Sequence, residues 1–442
     1  MVSFYQLLLF LLLGIAVIVL LTARFRVHPF FALMIASLIV GAGAEIPIAE
    51  VMNAMKEGFG NVMKSLGFII VLGTTLGVLL EQSGSTTVMA NFILKKIGPK
   101  YPALAISVTG FVVGLPIFCD SGFIVLSGLN LSLARRTGTR VVVMAVSLAT
   151  GLYSVHCLVP PHPGAAAAAG IIGVDYGRLI LIGICIAIPA MIIGYLYATV
   201  VGNRIPVPGN NEAIANENPQ RKLPTTLSAF LPVLIPIILI ALKSYFIPVN
   251  EKAVGWKSLL AAIGEPSIAL AIGVVLALKT ISPWKTDSIN KWLLEAVEKA
   301  GGILVIIGAG GAFGAVLAAT NIGGHFSEVL PLASLGILFP FLLTSLLKTA
   351  QGSSTVAIIT AASIILPLLP SLGLDSSDGK LLAVLSMGAG SMMISHANDA
   401  YFWVIAKFEK LEMKTMLQVY SVATVLMGLT TLLMVYILSL LL

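Results

Sequence analysis

Apolar runs the length of a bilayer, with few or no charges, recur along the whole chain, and no other feature limits its fold as strongly. Residues 4–23 and 418–441 contain no Lys, Arg, Asp or Glu. A hydrocarbon core is crossed by about 20 residues of apolar helix. Ten stretches fit that length: 4–23, 29–44, 66–82, 140–157, 178–201, 227–248, 258–279, 301–320, 380–397 and 418–441. The runs are continuous and lack the dyad alternation of barrel strands, so helices must satisfy the backbone. Composition agrees: 58% of residues are apolar and 10% charged, with a mean hydropathy of +1.03, against about 25% charged in soluble domains. A soluble enzyme, a disordered chain and a secreted disulfide scaffold are excluded. The expected fold is an all-α polytopic membrane protein with about 10–12 spans.

Two longer tracts, 101–134 and 331–370, are apolar but broken by Gly, Pro and polar residues. Each reads as two spans or as one re-entrant hairpin, and either choice returns the chain to its starting side. The net charge of +7 sets orientation and does not signal nucleic acid, because Lys and Arg collect in cytoplasmic loops. Placing 24–28 inside puts 83–100, 135–139 and 202–226 inside as well. In the first half the basic residues then divide eleven to three in favour of the inside, counting Arg140, and in the second half seven to four. Both termini fall outside, and the N-terminal run reads as a first span rather than a cleaved signal. The polar segment 202–226 is expected as a cytoplasmic linker between two halves, 1–201 and 227–442. Comparing the halves at an offset of roughly 235–240 aligns 65–80 with 300–317, 114–122 with 348–355, and Ser154 and His156 with Ser395 and His396. Each half holds an odd number of crossings. The copies therefore have opposite orientation, the arrangement of transporters whose broken helices meet near the midplane.

Four polar clusters interrupt the apolar runs, and a charge there costs at least about 2.5–3.5 kcal/mol. In GLPIFCDSG (114–122), Pro116 and the glycines free backbone groups beside Asp120 and Ser121. Asp120 can take up and release a proton, or cap a helix at the hairpin tip. In SVHCLVPPHPG (154–164), three prolines forbid regular helix around His156 and His162. The alanines that follow can start a helix whose amides attract an anion, and the imidazoles can donate to a carboxylate or carry protons. In KTAQGSST (348–355), Gly352, Ser353, Ser354 and Thr355 offer amides and hydroxyls, and Lys348 can pair with a substrate carboxylate or with Asp120. In SHANDAYFW (395–403), His396, Asn398 and Asp399 can hold a proton, a cation or substrate hydroxyls. Cys119, Cys157 and Cys185 sit in apolar surroundings and imply no disulfides. The sequence contains no Walker A loop, HExxH or GxSxG elbow, so neither enzyme chemistry nor a cofactor or metal is expected.

SVHCLVPPHPGAAAA (154–168), IIGAGGAFGAVL (306–317), GSSTVAIITAA (352–362) and SHANDAYFW (395–403) together resemble the gluconate permease (GntP) family of proton symporters, in order and over essentially the whole chain. The resemblance implies a bacterial cytoplasmic-membrane protein with paired hairpins, a dimeric scaffold in the lipid bilayer and elevator motion. It also implies proton-coupled uptake of gluconate or a related sugar acid or small hydroxy carboxylate. Lys348, Gly352, Ser353, Ser354, Thr355, His162, Asn398 and Ser121 are the substrate candidates. Asp120, with His156, His396 and Asp399 as competitors, is the proton-coupling candidate. Two alternatives stand beside this reading: sodium coupling through Asn398 and Asp399, and an anion channel.

Overall fold

The computed structural model describes residues 4–98, 100–205, 223–247, 254–321 and 334–442. The expected cytoplasmic linker lies mostly outside them, over 206–222.

Every regular element among the described residues is a helix. It opens with α1 (Phe4–Val19), continued by a π turn (Leu20–Arg24), then α2 (Pro29–Gly43) and the 35-residue α3 (Ile48–Gln82). After α4 (Ser85–Ile97), the first broken tract forms a hairpin of α5 (Pro102–Gly114) and α6 (Cys119–Thr137). The proline-rich cluster then separates α7 (Val141–Leu158) from α8 (Pro163–Ile172), and α9 (Tyr176–Gly202) closes the half. The second half runs α10 (Thr226–Phe246), α11 (Trp256–Ile263), α12 (Pro266–Leu278) and the 34-residue α13 (Thr286–Ala319). Its hairpin is α14 (Leu338–Gln351) and α15 (Ser354–Ile365), its broken helix α16 (Ser377–Met392) and α17 (Ala400–Phe408), and its last helix α18 (Met413–Ser439). The order long helix, hairpin, broken helix, closing helix thus occurs twice. Corresponding starts, from Ile48 and Thr286 to Tyr176 and Met413, lie 235 to 238 residues apart.

Among the described residues, seven helices are long and apolar enough to cross a membrane, or eight when the pair α11 and α12 is taken as one span. The other expected crossings are assembled from helices shorter than a bilayer, such as the 16-residue α16 and the 13-residue α5. The tract 258–279, which reads as one clean span, bends by 68°. Gly264 ends α11 there, and Glu265 caps α12 through the Ile268 amide with Pro266 at its first position.

Small residues bring the helices together where no hydrophobic effect can. A Cβ on Gly58 of α3 would stand 2.3 Å from the Gly311 carbonyl oxygen of α13, so these two long helices touch backbone to backbone. The same device joins α7 to α5, where a Cβ on Gly151 would stand 2.2 Å from the Ser107 carbonyl oxygen. The centre of the molecule is α7 and α16, whose side chains are almost all buried. The Tyr153 hydroxyl on α7 donates to the Ser391 carbonyl on α16 at 3.0 Å.

Candidate substrate site

A cavity of about 500 Å³ opens where the hairpin tips meet the breaks. Other cavities described in the molecule hold about 30 and 10 Å³. Four helices begin in the wall: α6 at Cys119, α8 at Pro163, α15 at Ser354 and α17 at Ala400. Each start presents unpaired amides and the positive end of a helix dipole. The glycine and proline breaks dictate this arrangement, because a helix interrupted within the protein must begin again there. No side chain caps α6 or α8, so their first-turn amides stay available.

The first hairpin tip contributes Asp120 and Ser121 to the wall. The Cys119 thiol points at the Asp120 carboxyl across 3.8 Å, and Asp120 makes no ion pair among the described residues. The second tip contributes Gly352, Ser353, Ser354 and Thr355. The Ser353 hydroxyl accepts from the Val356 amide and so caps α15. Gly352 sits at φ +81°, and a Cβ on it would stand 2.1 Å from the Asn398 carbonyl oxygen. Only glycine fits there on both counts. Asn398 and Asp399 of the second break and His156 of α7 also line the cavity.

Three sequence candidates are placed behind the wall rather than on it. Lys348, expected to meet a substrate carboxylate or Asp120, is 0% exposed. Its ammonium donates to Asp399 Oδ2 at 2.7 Å and to the Gly352 carbonyl at 2.6 Å. Asp399 accepts further from the Ser395 hydroxyl and, through Oδ1, from the Tyr401 amide, which caps α17. The pair follows from burial: neither charge is tolerated in an apolar interior without the other. His162 is buried with its Nε2 2.6 Å from the Gly114 carbonyl at the end of α5. His396 Nε2 lies 3.0 Å from the Thr349 carbonyl, which the Asn398 amide also meets at 2.8 Å. In each half, then, a side chain of the break satisfies the exposed carbonyl end of that half's hairpin arm.

Sequence reasoning passed over Gln351, Tyr153, Tyr401 and Lys299, all of which line the cavity. Gln351 is the most telling, since both its amide nitrogen and its oxygen are buried without a partner among the described residues, as is His156 Nδ1. Buried polar groups are almost always satisfied, so these three atoms stand out among the residues that line the cavity. Its position one residue before Gly352 was the available signal. Among the described residues no group of acidic, His or Cys side chains is arranged to hold a metal ion.

Comparison with known proteins follows the same line. The family model described as GntP family permease matches residues 6–441. The gluconate permease of Pseudomonas aeruginosa is 33% identical over 436 residues, covering 97% of this chain and 96% of its own. The D-serine transporter DsdX of Escherichia coli is 30% identical over 421 residues, covering 94% of each. In fold, the chain is similar to the YdaH transporter of Alcanivorax borkumensis, with a TM-score of 0.62 at 15% identity over 88% of this chain and 87% of that one. Breaks, hairpins and cavity all sit within the matched region, and the chain belongs to the GntP family of permeases, membrane transporters rather than enzymes.

Proposed function

We propose that the chain takes up gluconate, or a related sugar acid or small hydroxy carboxylate, across the bacterial cytoplasmic membrane together with a proton, by alternating access. The observation that carries this reading is the convergence of α6, α15 and α17 starts on one cavity of about 500 Å³ that also holds an unpaired carboxyl, Asp120. The volume is that of a small-molecule site. Helix starts favour an anion, and Ser121, Ser353, Ser354, Thr355 and Gln351 offer hydroxyls and an amide to a polyhydroxy chain. Charge then gives the coupling. Lys348 neutralises Asp399, so Asp120 is the carboxyl that repels an incoming anion. A proton on Asp120 removes that repulsion, and anion plus proton cross together. His156 borders the same space and is the second proton candidate. His162 and His396 hold the hairpin arms, and Asn398 holds one while presenting its other side to the substrate.

In this reading the halves 1–201 and 227–442 are inverted repeats joined by the cytoplasmic segment 202–226, with both termini outside. The protein works as a homodimer in the lipid bilayer, and the hairpins and broken helices move as an elevator against a scaffold containing α3 and α13. The gluconate permease and D-serine transporter names of the relatives support a small carboxylate cargo.

The test is uptake of labelled gluconate into proteoliposomes under an inside-alkaline gradient. Accumulation that a protonophore collapses and that ignores sodium is expected. Dependence on sodium in place of the pH gradient would refute proton coupling, and flux without counterflow or saturation would refute a carrier.

A further inference from the structure

A carboxylate site gains affinity from a charged donor that the anion can reach, and the buried Lys348 does not supply one. Of the described residues lining the cavity, Lys299 carries the only ammonium or guanidinium group. It lies on α13, lines the cavity together with both hairpin tips, and its side chain is 35% exposed. Its Nζ donates to Glu295 Oε1 at 2.7 Å, one turn earlier on the same helix. An ammonium has three donors, so that bond leaves capacity for a ligand. Lys299 also borders a smaller cavity with Glu81 of α3 and with Phe118 and Ser121 of the first hairpin tip. It therefore stands where the long-helix pair meets the hairpin. The ordinary reading, a solvated pair four residues apart, accounts for the Glu295 bond but not for the projection into a 500 Å³ cavity.

We propose that Lys299 receives the substrate's carboxylate, so that the bound substrate bridges α13 to the hairpin tips. This rests on the transport reading above. Glu295 is then a placeholder that holds the ammonium toward the cavity and gives it up to the incoming anion. The bridge makes affinity depend on conformation. A state in which the hairpins have moved away from α13 lacks this contact and releases the substrate more readily.

The experiment measures KM and maximal rate for a panel of gluconate, other hydroxy acids and D-serine in proteoliposomes, for wild type, K299Q, K299R and E295Q. Loss of a charge-assisted hydrogen bond predicts a KM for K299Q raised roughly 10-fold or more. The maximal rate at saturation and the melting temperature in detergent should change little. K299R should recover most of the affinity, and E295Q should show a KM at or below wild type because the competitor is gone. A wild type that carries a panel member while K299Q keeps its KM within twofold overturns this inference alone. So does an E295Q defect as large as that of K299Q, which would make the pair a structural unit. A wild type that carries no panel member overturns the transport reading and this inference with it.

Discussion

Replacing Lys348 with methionine tests whether the second hairpin is fastened by a buried ion pair. The substitution keeps the volume of the stem and removes the charge. In the structure the ammonium has no exposure and two acceptors, Asp399 Oδ2 at 2.7 Å and the Gly352 carbonyl at 2.6 Å. Breaking a buried pair by deleting one partner costs about 3–5 kcal/mol, because the other charge is left uncompensated. Asp399 retains the Ser395 hydroxyl and the Tyr401 amide, which favours the lower end for the charge itself. The carbonyl of Gly352 loses its donor at a further cost of about 1 kcal/mol. K348M should therefore lower stability by about 3–5 kcal/mol, roughly two to nearly four decades in the folded-to-unfolded ratio. Denaturant titration in detergent micelles, with the midpoint and slope fitted together, measures this. The double variant K348M/D399N removes both charges and should be more stable than K348M alone, a coupling that a double-mutant cycle isolates. K348M within about 1 kcal/mol of wild type, or a double variant equal to the sum of the singles, would refute the argument that the pair sits in a dry interior.

Other perturbations follow from the same structure. G352A places a Cβ against the Asn398 carbonyl at a positive φ, so it should abolish uptake while circular dichroism shows the helices retained. D120N should abolish accumulation driven by a pH gradient and leave counterflow partly intact, and accumulation that survives would remove Asp120 from the coupling role. Glu409, in the turn after α17, is buried with the Asn130 amide donating to it at 2.8 Å, and burial pushes its carboxyl up to about 8 from 4.5. The folded protein keeps a proton there that the unfolded chain releases, so stability should fall as pH rises from 4.5 to 8, and E409Q should flatten that slope in thermal melts. G58V should separate α3 from α13 and lower the detergent melting temperature more than G60V, since Gly60 has nothing within 4 Å of an added Cβ.

What the sequence disclosed and what it hid divide along a physical line. Local chemistry was legible: Pro160, Pro161 and Pro163 forbid continuous helix, and Gly352 with Ser353 marks a stop followed by a start. The hairpins and breaks fall where those residues predict. Pairings between distant segments were not legible. Lys348 and Asp399 are 51 residues apart, and Asn130 and Glu409 are 279 apart. Nothing in either segment names its partner. Averaging hid the bend at Gly264 and Glu265, since the flanking helices are apolar enough to pass as one span. The same effect hid Lys299, because the polar first turns of α13 read as a cytoplasmic segment although the helix continues unbroken to Ala319.

The ties between each break and its own hairpin have a thermodynamic consequence. His162 holds the end of α5, and His396 and Asn398 hold the end of α14, so the loops around the cavity are fixed by bonds that need no substrate. The conformational entropy of ordering those loops is lost when the chain folds. A ligand entering such a preorganised site does not bear that cost again. Weak individual contacts to hydroxyls can then sum to useful affinity, and the site can empty without collapsing, as the proposed alternating-access cycle requires on its unloaded return.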